Sequence, residues 1–250
     1  MADDVIDALD TEARRAVAMV GVGLLAVLIF AWSDGMLVPA QAGLALAIYV
    51  LSGLLVLRGL DAHRPHARFG PANRITLARA GAVALLAGAL AAPVATSLVW
   101  IATIVGFAGL IGDGIDGWAA RRSGLASRFG ARFDMEVDAF FILVLCVLLV
   151  RIDKVGMWIV IAGALRYLFV AAGALLPALR AELPPSGRRR AICAIQTAML
   201  AAALAPPIGD TAATVIVGAG LVAVIYSFAA DVIWLIRNAQ APRNDSCVPT

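Results

Sequence analysis

Apolar residues run along this chain in blocks of about twenty, each broken by a short polar stretch. A helix of about 20 such residues crosses the hydrocarbon core of a bilayer. Eight crossings are predicted, over about 16–32, 41–57, 73–92, 98–121, 130–150, 155–178, 191–206 and 211–236. The blocks are too long and too evenly apolar for the short alternating strands of a membrane β-barrel. The expected fold is therefore all-α, a polytopic helical bundle in the membrane. Composition agrees, with 62% hydrophobic residues, 15% charged residues and a mean hydropathy of +0.92.

The placement of charge adds an orientation. Lys and Arg concentrate in loops that face the cytoplasm. Alternate loops separate cleanly here. One set holds Arg14 and Arg15, then Arg58, Arg64 and Arg68, then Arg121, Arg122 and Arg128, then Arg180 and Arg188 to Arg190, then Arg237 and Arg243. The other holds only Arg151 and Lys154. Both termini are thus expected in the cytoplasm, with the protein in the inner (plasma) membrane. The formal net charge of +3 is too small to suggest a nucleic-acid partner.

Residues 1–15 are acidic and end in an Arg pair, the reverse of a basic leader with a cleavage site, so no signal peptide is expected. They form either a short amphipathic helix, with Val5, Ile6 and Leu9 on one side, or a solvated tail. Residues 16–70 read as an accessory two-helix hairpin and a basic linker. His63 and His66 in that linker invite a metal reading, but with only Asp61 beside them a solvated interfacial loop is the expectation. Residues 71–237 form the core, and the polar stretch 238–250 is expected to be disordered. Cys146, Cys193 and Cys247 stand at no metal-like spacing and imply no disulfide framework.

The chemistry concentrates in IGDGIDGWAARRSGLASRFGARFDMEVDAF. On a helix Asp113 and Asp116 share a face with the small Ala120, and Asp134 and Asp138 share a face of the next helix, with Gly130 one turn before them. A turn at 123–127 would bring four carboxylates to one place at the end of an apolar segment. Like charges cannot be held there unaided, so the acids either take up protons or surround a cation. Oxygen donors without a nearby His or Cys suit Mg²⁺ or Mn²⁺. Four acids leave room for two ions, an arrangement suited to phosphoryl chemistry. Gly117, Ala120 and Gly130 would leave space for a ligand against the helix backbones, and Arg121 can fork on to a phosphate.

Two further features carry polar groups into apolar helices. Asn73, Thr76 and Arg79 fall on one stripe at the start of the first core helix, for ligand binding or for helix-start capping and anchoring. Arg166 lies near the middle of a predicted span and needs a partner or a wet cavity at that depth. Asp153 and Asp231 are the candidate partners. Arg188, Arg189 and Arg190 open the following helix, ahead of Gln196.

The pattern D-x-x-D-G-x-x-A-R-x8-G-x-x-x-D-x-x-x-D resembles the signature of the CDP-alcohol phosphotransferases, with every fixed letter present. The resemblance covers roughly 71–237 and implies a six-helix membrane core. It further implies transfer of a substituted phosphate group from a CDP-alcohol, such as CDP-diacylglycerol, to an alcohol acceptor with release of CMP. By the same likeness Asp113, Asp116, Asp134 and Asp138 would hold metal, with Asp138 also the general base. Asn73, Arg79, Asp113, Gly117, Ala120, Arg121 and Gly130 would bind the nucleotide. Arg166 with Arg188, Arg189 and Arg190 would form an anion pocket for a phosphorylated acceptor such as glycerol 3-phosphate or an inositol phosphate. A homodimer is implied too. The rival classes are a cation transporter using the acids and a CDP-lipid-binding protein without turnover. The transporter is disfavoured because the acids sit at a cytoplasmic helix end and no inverted repeat is visible.

Overall fold

Eight α-helices carry the regular structure of the described residues: α1 (Ala2–Ser33), α2 (Pro39–Gly59), α3 (Pro71–Gly88), α4 (Thr96–Ser123), α5 (Arg128–Arg151), α6 (Val160–Leu175), α7 (Gly187–Leu204) and α8 (Asp210–Ala239). The structure, a computed structural model, describes residues 2–64, 66–123, 125, 127–181, 183–184 and 186–239. Within these, the side chains of 2–6, 113–121, 123, 180 and 239 are excepted. The polar tail expected to be disordered lies, from residue 240 on, outside the described residues.

The number of helices and their order match the hydropathy blocks. Five of them are long and apolar enough to cross a membrane, among the described residues. α4 is apolar only over Thr96–Gly112, before its acidic last turns. The first third of α5 carries Arg128, Arg132, Asp134, Glu136 and Asp138, so its apolar part is likewise shortened. Both helices thus extend polar ends beyond their apolar segments, and the acid motif lies on those ends.

Boundaries moved where local chemistry overrides hydropathy. α6 stops at Leu175, short of the expected 178, because Leu176 precedes Pro177 and is pushed to extended backbone (φ −114, ψ 103). The expected amphipathic segment or tail at the N-terminus is instead the first half of one continuous helix, α1. Leu9 and Ala13 on that extension are buried. Glu12 tethers it to the core, accepting from Arg74 Nη2 at 2.5 Å and from the Phe69 amide at 3.2 Å.

Two apolar clusters build the interior. One joins α3 to α5, α7 and α8 through residues such as Leu86, Leu145, Leu149, Leu200 and Val217. The other joins the α1–α2 hairpin to α3 and α5 through Leu24, Tyr49, Phe69, Leu77 and Phe129. Small residues set the close helix crossings. A Cβ added to Gly106 would lie 2.5 Å from Ala201 Cβ, and one on Gly163 would lie 2.5 Å from Leu143 Cα. At these two crossings the small residues are used within the protomer.

The two cations in the sparsely charged loops cap helix ends. Arg151 donates to the Ala92 carbonyl at 3.0 Å. Lys154 Nζ donates to the Ala205 carbonyl at 2.6 Å, just past the end of α7, where a helix leaves acceptors unsatisfied. Burial pulls the Lys154 ammonium below the ordinary lysine range, and Asp210 opposes that shift.

Candidate active site

α3, α4 and α5 meet around one guanidinium. Arg79, on α3, donates through Nη1 to Asp134 Oδ1 at 2.9 Å and through Nη2 to Asp138 Oδ1. The i, i+4 spacing puts both carboxylates on one face of α5, so the planar fork spans them. Arg79 is 11% exposed, Asp138 19% and Asp134 31%, so the cluster opens on one side. α4 passes Arg79 at Gly112, where an added Cβ would lie 3.2 Å from Arg79 Cδ. Asp113, the first acid of the motif, is the next residue.

Asp113, Asp116, Gly117, Ala120 and Arg121 fall on the last three turns of α4, and their side chains lie outside the described residues. Among the described side chains, two of the expected carboxylates, Asp134 and Asp138, come together, with the Arg79 guanidinium between them. Part of the charge of these acids is met by a guanidinium, in addition to the protons or metal cation expected from the sequence. Arg79 pairs with the acids of α5.

Asn73 and Gly130 are also paired. Asn73 is 5% exposed and donates through Nδ2 to the Phe69 carbonyl at 2.6 Å. Its Oδ1 lies 2.7 Å from where a Cβ on Gly130 would stand. The space that Gly130 was expected to leave for a ligand is taken by this amide. A Gly130→Ala variant should accordingly be destabilised by roughly 1–3 kcal/mol through overpacking. Its unfolding temperature in detergent would fall by several degrees, and an unchanged value would contradict the contact.

α5 begins on Ser127, whose Oγ accepts from the Gly130 amide at 3.0 Å. His63 reaches this cap from the 3₁₀ turn Leu60–His63, its Nδ1 2.6 Å from Ser127 Oγ and its Nε2 2.8 Å from the Arg68 carbonyl. The solvated loop expected here is wrong at His63, which is 0% exposed. Both ring nitrogens have partners, so burial is tolerated. The linker's arginines Arg58, Arg64 and Arg68 are exposed, as expected.

The proposed acceptor residues are spread over two clusters. Arg166 Nη2 donates to Glu136 Oε1 at 2.6 Å, correcting the expectation of Asp153 or Asp231. Glu136 lies two residues from Asp134, about 200° around α5, and so faces α6 while the aspartates face α3. Its place inside the motif was the available signal. Arg166 Nε is buried without a hydrogen-bond partner among the described residues. Arg188 and Arg189 both donate to Asp231 Oδ1, the latter at 3.2 Å, and Arg190 is exposed.

Among the described residues no three His, Cys, Asp or Glu side chains gather as a metal cluster. The donor chemistry nonetheless fits a hard cation. Asp134 and Asp138 offer oxygen ligands on one helix face, open on one side, and α4 passes this face at Gly112.

A family model described as CDP-alcohol phosphatidyltransferase matches residues 69–228. Curated proteins and solved structures give no match. The matched stretch contains Asn73, Arg79 and the whole acid motif, whereas α1, α2 and His63 precede it. The family transfers a substituted phosphate group, a phosphatidyl group from a CDP-alcohol, and is generally dependent on divalent cations. With the match spanning more than half of a helical membrane chain whose α3 and α5 join over the acid motif, this protein belongs to the CDP-alcohol phosphatidyltransferase family.

Proposed function

We propose that the protein transfers a phosphatidyl group from CDP-diacylglycerol to the hydroxyl of a small phosphorylated alcohol, with glycerol 3-phosphate or an inositol phosphate favoured. The observation that carries this reading is the convergence of Asp134 and Asp138 on Arg79 beside α4. The acceptor oxygen attacks the β-phosphorus, the bond to the CMP phosphate oxygen breaks, and the hydroxyl proton passes to Asp138. Arg79 holds the Asp138 carboxylate in a fixed orientation. Asp113, Asp116, Asp134 and Asp138 would hold Mg²⁺ or Mn²⁺, two ions by the number of acids, which supplies neutralisation of the diphosphate. Arg121, Gly117 and Ala120 would lie along the diphosphate on α4, and Asn73 would support Gly130 from behind.

The preference for an anionic acceptor rests mainly on the mouth of α7. Arg188 and Arg189 share the single carboxylate of Asp231, and Arg190 adds a third cation, so the cluster keeps excess positive charge. Arg166, balanced by Glu136, contributes less than its depth suggested. The concentration of Lys and Arg in one set of loops supports an orientation with both termini and the site in the cytoplasm, at the inner membrane. The family likeness supports a homodimer.

Membranes carrying the protein, given CDP-diacylglycerol, Mn²⁺ or Mg²⁺ and a panel of alcohols, should release CMP and form one new lipid. Excess EDTA should abolish that release, as should Asp113→Asn. Full CMP release in EDTA would refute the metal assignment. Turnover with serine and with no phosphorylated alcohol would refute the acceptor class.

A further inference from the structure

We infer that the segment ahead of the family core positions the catalytic helix, with His63 acting on α5 through Ser127. The inference rests on the proposed role of α5 for its link to catalysis, but not for its geometry. A linker that only joined α2 to α3 would have no need of a fully buried imidazole bonded at both nitrogens. The direction of each bond follows from its partners. A carbonyl can only accept, so His63 Nε2 carries the proton donated to Arg68, and in the neutral ring Nδ1 accepts from the Ser127 hydroxyl. Ser127 Oγ spends its hydrogen on His63 and a lone pair on the Gly130 amide at 3.0 Å. A capping hydroxyl is otherwise a rotor, and His63 locks it on the first turn of α5.

Neighbouring contacts hold the same turn. The Phe129 ring stands edge-on to His63, centroids 5.7 Å apart. Gly59, at the end of α2, approaches Phe129 so closely that a Cβ there would lie 2.9 Å from the ring. Gly70, at φ +81, brings the end of the linker against Leu125. From the other side, Glu12 of α1 holds the Phe69 amide while Asn73 holds the Phe69 carbonyl, and Asn73 abuts Gly130. Asp134 and Asp138 follow one and two turns along α5, so the register of its first turn sets where they meet Arg79.

The test uses the full-length protein in lipid nanodiscs, with hydrogen–deuterium exchange over 127–134 and CMP release measured side by side. His63→Ala should speed exchange in that turn and lower kcat/KM, each by about tenfold. Ser127→Ala should match it, and the double variant should lose little more than either single one, because the second change removes a link already broken. His63→Asn, whose Oδ1 can stand where Nδ1 does, should retain most activity, whereas His63→Gln, which reaches only the Nε2 position, should not. The Asn and Gln pair decides the matter even if His63→Ala fails to fold. Losses that multiply in the double variant, unchanged exchange in the single ones, or a Gln variant better than Asn would each overturn the inference. A parent protein that releases no CMP with any acceptor would refute the proposed reaction, while the exchange data would still judge the role of His63.

Discussion

Asp138→Asn is expected to lower the turnover of CMP release by about a hundredfold to ten-thousandfold, the usual contribution of a general base. The KM for CDP-diacylglycerol should change little. Asn is close in shape to Asp, and its Oδ1 can still accept from Arg79, so the α3–α5 contact persists. What it cannot do is take up the acceptor proton as the new phosphate bond forms. A loss confined to the rate therefore separates a base from a binding group. Single-turnover rates and equilibrium binding of a CDP-alcohol, measured on the same preparation, check this. If Asp138→Asn loses nucleotide affinity as completely as Asp113→Asn does, Asp138 is a metal ligand first and the base lies elsewhere.

Arg79→Gln should be damaging in a different way. One guanidinium stands between Asp134 and Asp138, so its removal leaves two carboxylates of one helix face without their shared cation. Breaking a fully buried pair costs about 3–5 kcal/mol, and the partial exposure of both acids reduces that to about 1–3 kcal/mol here. The unfolding temperature in EDTA should fall by several degrees. Added Mn²⁺ should raise it more in the variant than in the parent, because the ion supplies charge that Arg79 otherwise provides. Activity should fall by at least about tenfold, and Arg79→Lys should not restore it, since an ammonium lacks the planar fork that spans two carboxylates. Equal stability of variant and parent in EDTA would show that the cluster contributes nothing to the fold.

The two variants probe one physical requirement from opposite sides. Acids at the end of an apolar segment persist only when countercharge is built in. Arg79 supplies part of it in the protein itself, and in the proposed reaction a divalent cation would supply more. Were Arg79 absent, α5 would lose the ion pairs that tie Asp134 and Asp138 to α3.

Much of this was readable along the chain because it is local. Apolar blocks indicated the eight helices and their order, five of them long and apolar enough to cross a membrane among the described residues, and the spacing of Asp134 and Asp138 determined that they share a face, since both follow from the geometry of a single helix. The acid motif also sufficed to indicate the family. Periodicity fixes where a side chain points on its own helix, but not which neighbour lies in that direction. Arg79 finds Asp134 and Asp138 across 55 and 59 residues, Arg166 finds Glu136 across 30, and His63 finds Ser127 across 64. Sign of charge alone offered Arg166 two other acids, and nothing local distinguished a buried His63 from a solvated one. Those partners were decided by the order in which helices pack, which close crossings at Gly106 and Gly163 help to set, and by a linker that folds back on the first turn of α5.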